Sequence, residues 1–296
     1  MMKQSLFVVV FFVLMTACEK SIEFDLKESA SVLSVDASIE TGADPVVILT
    51  KSLNYFSKIT PEILSNSVVK DAVIRISDGE KTQVLRRFDV LLEGNIPFSF
   101  YSSDPASPQT RITGMEGKSY RMEIEWRGQT FLSSTTIPVA AKTVDSIWWE
   151  RVPTLPDTSK KVILKARVTD PPGFGNYIRY FTRVNNGAFF PGINSVFDDL
   201  LINGITYDIS VDKGVDRNAD VNFDEYGYFR KGDTVTLKFC NIDKATFDFW
   251  RTTEFSYQSI GNPFSSPTKI QGNISNGALG YFGGYAVRNR TLIIPQ

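Results

Sequence analysis

Tyr120-Arg121-Met122-Glu123-Ile124-Glu125-Trp126, then Arg127-Gly128-Gln129, then Thr130-Phe131-Leu132-Ser133: this stretch sets the fold class. Apolar and charged residues alternate through the first segment, so Tyr120, Met122, Ile124 and Trp126 share one face while Arg121, Glu123 and Glu125 share the other. A period of two is the pattern of a strand with one face on a core, and the glycine supplies the positive φ of a tight turn, so the stretch reads as a β-hairpin. The same pattern extends outward. Ala72–Ile76 and Thr82–Arg86 flank Ser77-Asp78-Gly79-Glu80, and Val32–Ile39 leads through Glu40–Pro45 into Val46–Thr50. Short strands with regular turn signals predict an antiparallel, immunoglobulin-like β-sandwich over residues 31–140, with a short helical turn at Pro61–Asn66 in a connecting loop.

Thr135-Thr136-Ile137-Pro138-Val139-Ala140 ends that pattern, which places a domain boundary near residue 141. Residues 141–296 read as a second β-rich domain with long Gly-, Asn- and Asp-rich loops. Its expected strands are Val162–Thr169, Tyr177–Val184, Thr206–Val211 and Thr234–Phe239. One segment departs from the period of two. Between Asn241 and Ile260, Phe247, Trp250, Tyr257 and Ile260 recur near helical spacing, with Asn241 or Asp243 available as N-cap. This predicts one amphipathic helix near residues 242–260, and Phe249 and Phe255 widen its apolar face enough for packing on a sheet.

The beginning of the chain carries a different signal. One positive charge, Lys3, precedes an apolar run from Leu6 to Met15, which matches a signal-peptide core and falls short of the roughly 20 residues of a membrane-spanning helix. The run ends in Thr16 and Ala17, small residues that a leader peptidase requires, immediately before Cys18. Leu14-Met15-Thr16-Ala17-Cys18 resembles a bacterial lipobox, with Met15 where Leu is usual. The expectation is cleavage after residue 17, acylation (palmitate or a similar chain) on Cys18, and a charged spacer over residues 18–30. A secretory leader with an incidental cysteine is the alternative. Cys240 is the other cysteine of the chain. It lies opposite Val235, Leu237 and Phe239 on its strand and reads as a tolerated small residue.

Composition narrows the function classes. Removing residues 1–17 from 296 leaves 279, and takes only Lys3 from the 32 Lys and Arg, leaving 31 against 33 Asp and Glu. A net charge of −2 gives no support to nucleic-acid binding, which needs a basic surplus. The chain has no histidine, so it lacks the residues of a Ser-His-Asp or Cys-His apparatus and of a His-containing zinc site. Carboxylate chemistry, lysine chemistry or no chemistry remain, and we expect a non-enzymatic protein.

Several phrases in order carry a family resemblance. They are Cys18-Glu19-Lys20, Val35–Glu40 leading to Pro45–Ser52, Thr136-Ile137-Pro138, Asp145-Ser146-Ile147-Trp148, Gly261–Pro267 and Gly280–Tyr285. Together they resemble the Bacteroidota lipoproteins of domain-of-unknown-function family 4249, over essentially the whole mature chain. The resemblance implies an outer-membrane lipoprotein, often encoded beside a TonB-dependent receptor barrel, with no assigned activity and no established functional residues to carry over. The spacer is acidic but interrupted by Lys20 and Ser21, which leaves the surface and the periplasmic face both open.

Four candidate constellations follow from the residues. Asp216, Asn218 and Asp220 have the D-x-[DN]-x-[DN] spacing of a calcium loop, but Val221 and Gly227 stand where an EF-hand needs Gly and Glu, so a solvated polar loop explains them as well. Calcium is the one cofactor considered. Glu123 and Glu125 share a strand face, where a glycosidase pair would need to flank a bond from opposite sides. Trp148 and Trp149 point to opposite faces of a strand, leaving one for interdomain packing or a partner platform. Phe264, Tyr281, Phe282 and Tyr285 sit in Gly-rich loops that read as a closing hairpin or a docking surface. The expected function is a lipid-anchored accessory protein partnering a TonB-dependent transporter. An independent glycan- or peptide-binding module is the alternative, and a carboxylate-dependent hydrolase the third possibility.

Overall fold

The computed structural model describes residues 31–53, 61–92, 96–217, 219, 221–260 and 268–296. The first half of the chain forms β1 (Leu33–Glu40), β2 (Val46–Lys51), α1 (Pro61–Ser67), β3 (Val73–Ser77), β4 (Thr82–Val84), β5 (Arg86–Leu92), β6 (Ile96–Ser102), β7 (Ser119–Trp126) and β8 (Gln129–Thr136). The second half forms β9 (Thr143–Arg151), β10 (Lys161–Thr169), β11 (Tyr177–Val184), β12 (Phe190–Phe197), β13 (Thr206–Val211), β14 (Phe229–Arg230), β15 (Thr234–Ile242), α2 (Lys244–Gln258) and β16 (Leu279–Ile293). The protein is mainly β, as the alternation predicts. Arg127-Gly128 makes the turn of the β7–β8 hairpin, both residues at positive φ.

An eight-stranded sheet, ordered β12-β11-β15-β16-β1-β2-β6-β5, forms the spine. A four-stranded sheet, β4-β3-β7-β8, covers the β1/β2 end on one face, and the β9, β10, β13, β14 sheet covers the β11/β15 end. Each pairing encloses its own core. One contains Val35, Ile39, Ile74, Met122, Ile124 and Phe282; the other contains Leu164, Val168, Phe229, Val235 and Leu237. The result is two sandwiches that share one sheet, and that sheet crosses the boundary expected near residue 141.

β16 makes the crossing possible. Its first half runs parallel to β1, from Ser34↔Leu279 to Glu40↔Tyr285, and its second half runs antiparallel to β15, from Ile242↔Tyr285 to Thr234↔Ile293. Of the closing hairpin expected from residues 262–267 and 279–285, the first arm lies outside the described residues, and the second is part of one 15-residue strand inside the sheet. Both faces of its Tyr281–Ala286 part are covered, so aromatic and small residues alternate there with no polar face to reveal a strand. Phe282 and Ala286 enter the first core, while Tyr281 and Tyr285 face the opposite way, beneath α2. Gly280, at φ +99°, has no room for a Cβ, which would overlap the Val35 carbonyl oxygen of β1.

The helix lies close to its expected position. Asp243 caps it, one carboxylate oxygen accepting the Thr246 N–H at 2.8 Å. The other oxygen accepts from the Thr135 hydroxyl at 2.7 Å and the Thr136 N–H at 3.0 Å, which ties the cap to β8. Phe247 stacks near Tyr177 (4.8 Å between centroids) and Phe249 on Tyr281 (4.4 Å), so α2 seals the second face of the shared sheet. The linker between the halves is pinned as well. Asn241 exchanges two hydrogen bonds with the Lys142 backbone, and the Lys142 ammonium lies 2.9 Å from the Asp170 carboxylate, both side chains buried.

Candidate functional site

A depression of about 350 Å³ opens on the α2 face of the shared sheet, across the strands from β1 and β16 over β15 to β11. Strand register builds it. Arg179 of β11 pairs with Cys240 of β15, which pairs with Val287 of β16, so Arg179 projects to the same face as Tyr281 and Tyr285. Ser38 and Glu40 enter from β1, Phe181 from β11, Trp250 from α2, Phe190 and Pro191 from β12, and Val215 to Arg217 from the loop after β13.

Arg179 is the centre of this arrangement. It is 4% exposed, its guanidinium carbon lies 3.4 Å from the Trp250 ring centroid and 4.6 Å from that of Phe181. Its hydrogen-bond acceptors are hydroxyls: Nε donates to Ser195 Oγ at 3.2 Å and Nη1 to the Tyr285 hydroxyl at 3.3 Å. Tyr285 also accepts from Trp250 Nε1 at 3.0 Å and shares a 3.2 Å hydrogen bond with Tyr281. Burial pushes both phenols up from their ordinary range, so they stay protonated. Asp36, beside Tyr281 on β1, keeps contact with solvent, yet the protein around it desolvates its carboxyl. That desolvation raises its pKa against the opposing effects of the Tyr281 hydroxyl and the Arg179 charge.

A second chain of bonds fixes the far wall. Ser195 donates its hydroxyl to Glu254 Oε1 at 2.5 Å and its backbone N–H to Oε2 at 2.9 Å; Arg217 Nη2 donates to the same Oε1 at 2.8 Å. Arg179, Ser195, Glu254 and Arg217 thus form one continuous network. Chemically it offers two oriented guanidiniums beside apolar walls, which suits recognition of an anion.

The aromatics read from sequence as a closing hairpin or a docking surface are not on the surface where the structure describes them. Tyr281, Phe282 and Tyr285 are all buried, because α2 and the first core cover both faces of β16. Tyr281 and Tyr285 still line the depression; Phe282 does not. Trp149 packs against the second core, while Trp148 points outward, bonded to Glu150 at 2.9 Å and flanked by Arg167. Glu123 and Glu125 both bind Arg75, at 3.2 and 2.6 Å, on the outer face of their sheet. Asp216 lines the depression, whereas its expected calcium-loop companions Asn218 and Asp220, along with Cys18 and Phe264, lie outside the described residues. The reading from sequence missed Arg179, Trp250, Ser195, Glu254 and Arg217 as site residues. One signal was available: Glu254 follows Phe247 by seven residues and Trp250 by four, which puts a carboxylate on the helix's apolar stripe.

The profile of a family described as "Domain of unknown function (DUF4249)" matches residues 19–291. The chain belongs to this family. Its description assigns no activity to the DUF4249 domain, and no curated protein matches the chain. In this DUF4249 chain the matched span takes in the first sandwich, the second up to residue 291 of β16, the helix and every residue of the depression.

Cys240 belongs to this face too. It is fully buried under α2, and burial pushes its thiol up to about 12. A thiol held that high is protonated and inaccessible, so at pH 8 the folded Cys18→Ala protein is expected to show no reaction with a disulfide reagent until denaturant is added. Fast labelling of the native protein would contradict this placement.

Proposed function

We propose that the chain is a lipid-anchored, non-enzymatic accessory protein of the outer membrane, partnering a TonB-dependent transporter in nutrient capture or uptake. The lipobox-like Leu14–Cys18 sequence supports the anchor. The observation that carries the binding role is the depression, whose polar groups already hold one another in place through the Arg179–Ser195–Glu254–Arg217 network. Such preorganisation favours recognition, because little ordering remains to be done when a ligand arrives. Acyl chains on Cys18 contribute about 0.8 kcal/mol per buried methylene, and more than one chain gives stable attachment. Confinement to the membrane raises the effective concentration of the domain at a transporter, so a modest contact is occupied.

The test is extraction of membranes in mild detergent, purification through a C-terminal tag, and identification of what accompanies the protein, with Cys18→Ala as the untethered control. The expected outcome is a large barrel recovered with the wild type and lost with the variant, which also leaves the membrane fraction. Recovery of both forms alone would remove the transporter from the proposal. It would favour an independent binding module, a reading the preformed depression also supports.

A further inference from the structure

We infer that the depression beside Arg179 binds a small organic carboxylate, with the guanidinium meeting the carboxylate and Phe181, Phe190, Pro191 and Val215 meeting its apolar body. The inference rests on the reading of the chain as a binding protein and is independent of the anchor and the transporter.

The argument begins with charge. A buried guanidinium is costly unless paired. Arg179 is buried on Trp250 and Phe181 and donates to two neutral hydroxyls. Among the described residues no carboxylate stands within ion-pair distance of it, and the carboxylates nearby are committed elsewhere. Glu40 holds Lys238 through both oxygens, at 2.5 and 2.7 Å, and Glu254 is taken by Ser195 and Arg217. Asp36 is engaged by the Tyr281 hydroxyl and makes no ion pair with Arg179.

A second orphan sits in the same wall. Arg217 lines the depression, and its Nε is buried without a hydrogen-bond acceptor among the described residues. Two guanidiniums in one cavity, one short of a counter-charge and the other of an acceptor, call for an anion. The walls choose which kind. Phe181, Phe190, Pro191 and Val215 are apolar, so an organic body gains from burial there. A compact inorganic dianion such as phosphate has no apolar body to bury against these walls, which favours an organic anion. A volume of about 350 Å³ falls within the roughly 300–1,000 Å³ of small-molecule sites.

The experiment is calorimetric titration of the purified full-length mature protein in detergent with benzoate and hexanoate, their uncharged amides benzamide and hexanamide, and inorganic phosphate. Carboxylates are expected to bind about tenfold more tightly than the matching amides, the difference a charge-assisted pair makes. Phosphate is expected not to compete. Arg179→Gln should abolish the preference for carboxylate. Should that variant unfold, Val215→Trp fills the cavity from a half-buried loop position without removing a buried group, and should lose binding while keeping the thermal transition. Equal binding of acids and amides, effective competition by phosphate, binding retained in Val215→Trp, or no binding by any probe would each overturn the proposal. None of those results touches the co-purification of a barrel, so the two ideas fail separately.

Discussion

Lys142→Met is expected to destabilise the protein by about 3–5 kcal/mol, read as a fall in the urea midpoint at unchanged slope. The Lys142 ammonium lies 2.9 Å from Asp170, and the two residues are 1% and 2% exposed. Removing the cation leaves a buried carboxylate with the Gly204 N–H and no counter-charge, and strips the Tyr207 ring of the ammonium that lies over it. The position amplifies the effect, because Lys142 begins the second half of the chain and its backbone is clamped by Asn241 of β15. The companion Lys142→Met/Asp170→Asn removes the stranded charge and keeps an acceptor for Gly204, so it should recover most of the loss. A double variant no better than the single would mean that the cost is packing of the long side chain rather than an unpaired charge.

Gly280→Ala is expected to cost about 3 kcal/mol or more, from a left-handed backbone that disfavours a Cβ by roughly 1–2 kcal/mol and an overlap that forces strands apart by a further 1–3. The overlap is with the Val35 carbonyl oxygen, in the parallel pairing that joins β1 to β16. Gly277→Ala separates the two contributions. Its φ is +76° and nothing lies within 4 Å of its Cβ, so only the backbone term of about 1 kcal/mol should appear. Equal losses in the two variants, measured by denaturant titration, would show that the close approach of the strands carries no weight. Gly280 also adjoins Tyr281, so the folded fraction of Gly280→Ala should bind carboxylates more weakly than the wild type.

Strands with one wet face were legible in the sequence. β7 announced itself because its outward residues, Arg121, Glu123 and Glu125, contrast with Tyr120, Met122 and Ile124. The helix was legible for a similar reason, through a stripe at helical spacing and an Asp at its start. β16 was not, since Phe282 and Ala286 meet the first core and Tyr281 and Tyr285 meet α2. A strand buried on both sides offers no polar alternation, and its glycines read as turn punctuation when they are in fact sites of close backbone approach.

The site divided in the same way. Tyr281, Tyr285 and Asp216 were singled out from sequence and do line the depression, though the tyrosines were read as part of a closing hairpin or a docking surface and are buried. Arg179, Ser195, Glu254 and Arg217 come from four separate elements, and each alone looks like an ordinary polar residue on a strand, helix or loop.

By itself the sequence determined the β class, the hairpins of the first half and the one long helix with its Asp243 cap, and it carries the lipobox-like Leu14–Cys18 stretch and no histidine. Those properties are local: each is written in a period, a turn residue or a composition that a short window contains. Only the tertiary structure decided that the last strand runs parallel to the first and joins two sandwiches into one sheet. It also decided that an arginine from β11 meets tyrosines from β16 and a tryptophan from α2. Those contacts join residues from 35 to 245 positions apart, and which of them form depends on how the whole set of buried faces is satisfied at once.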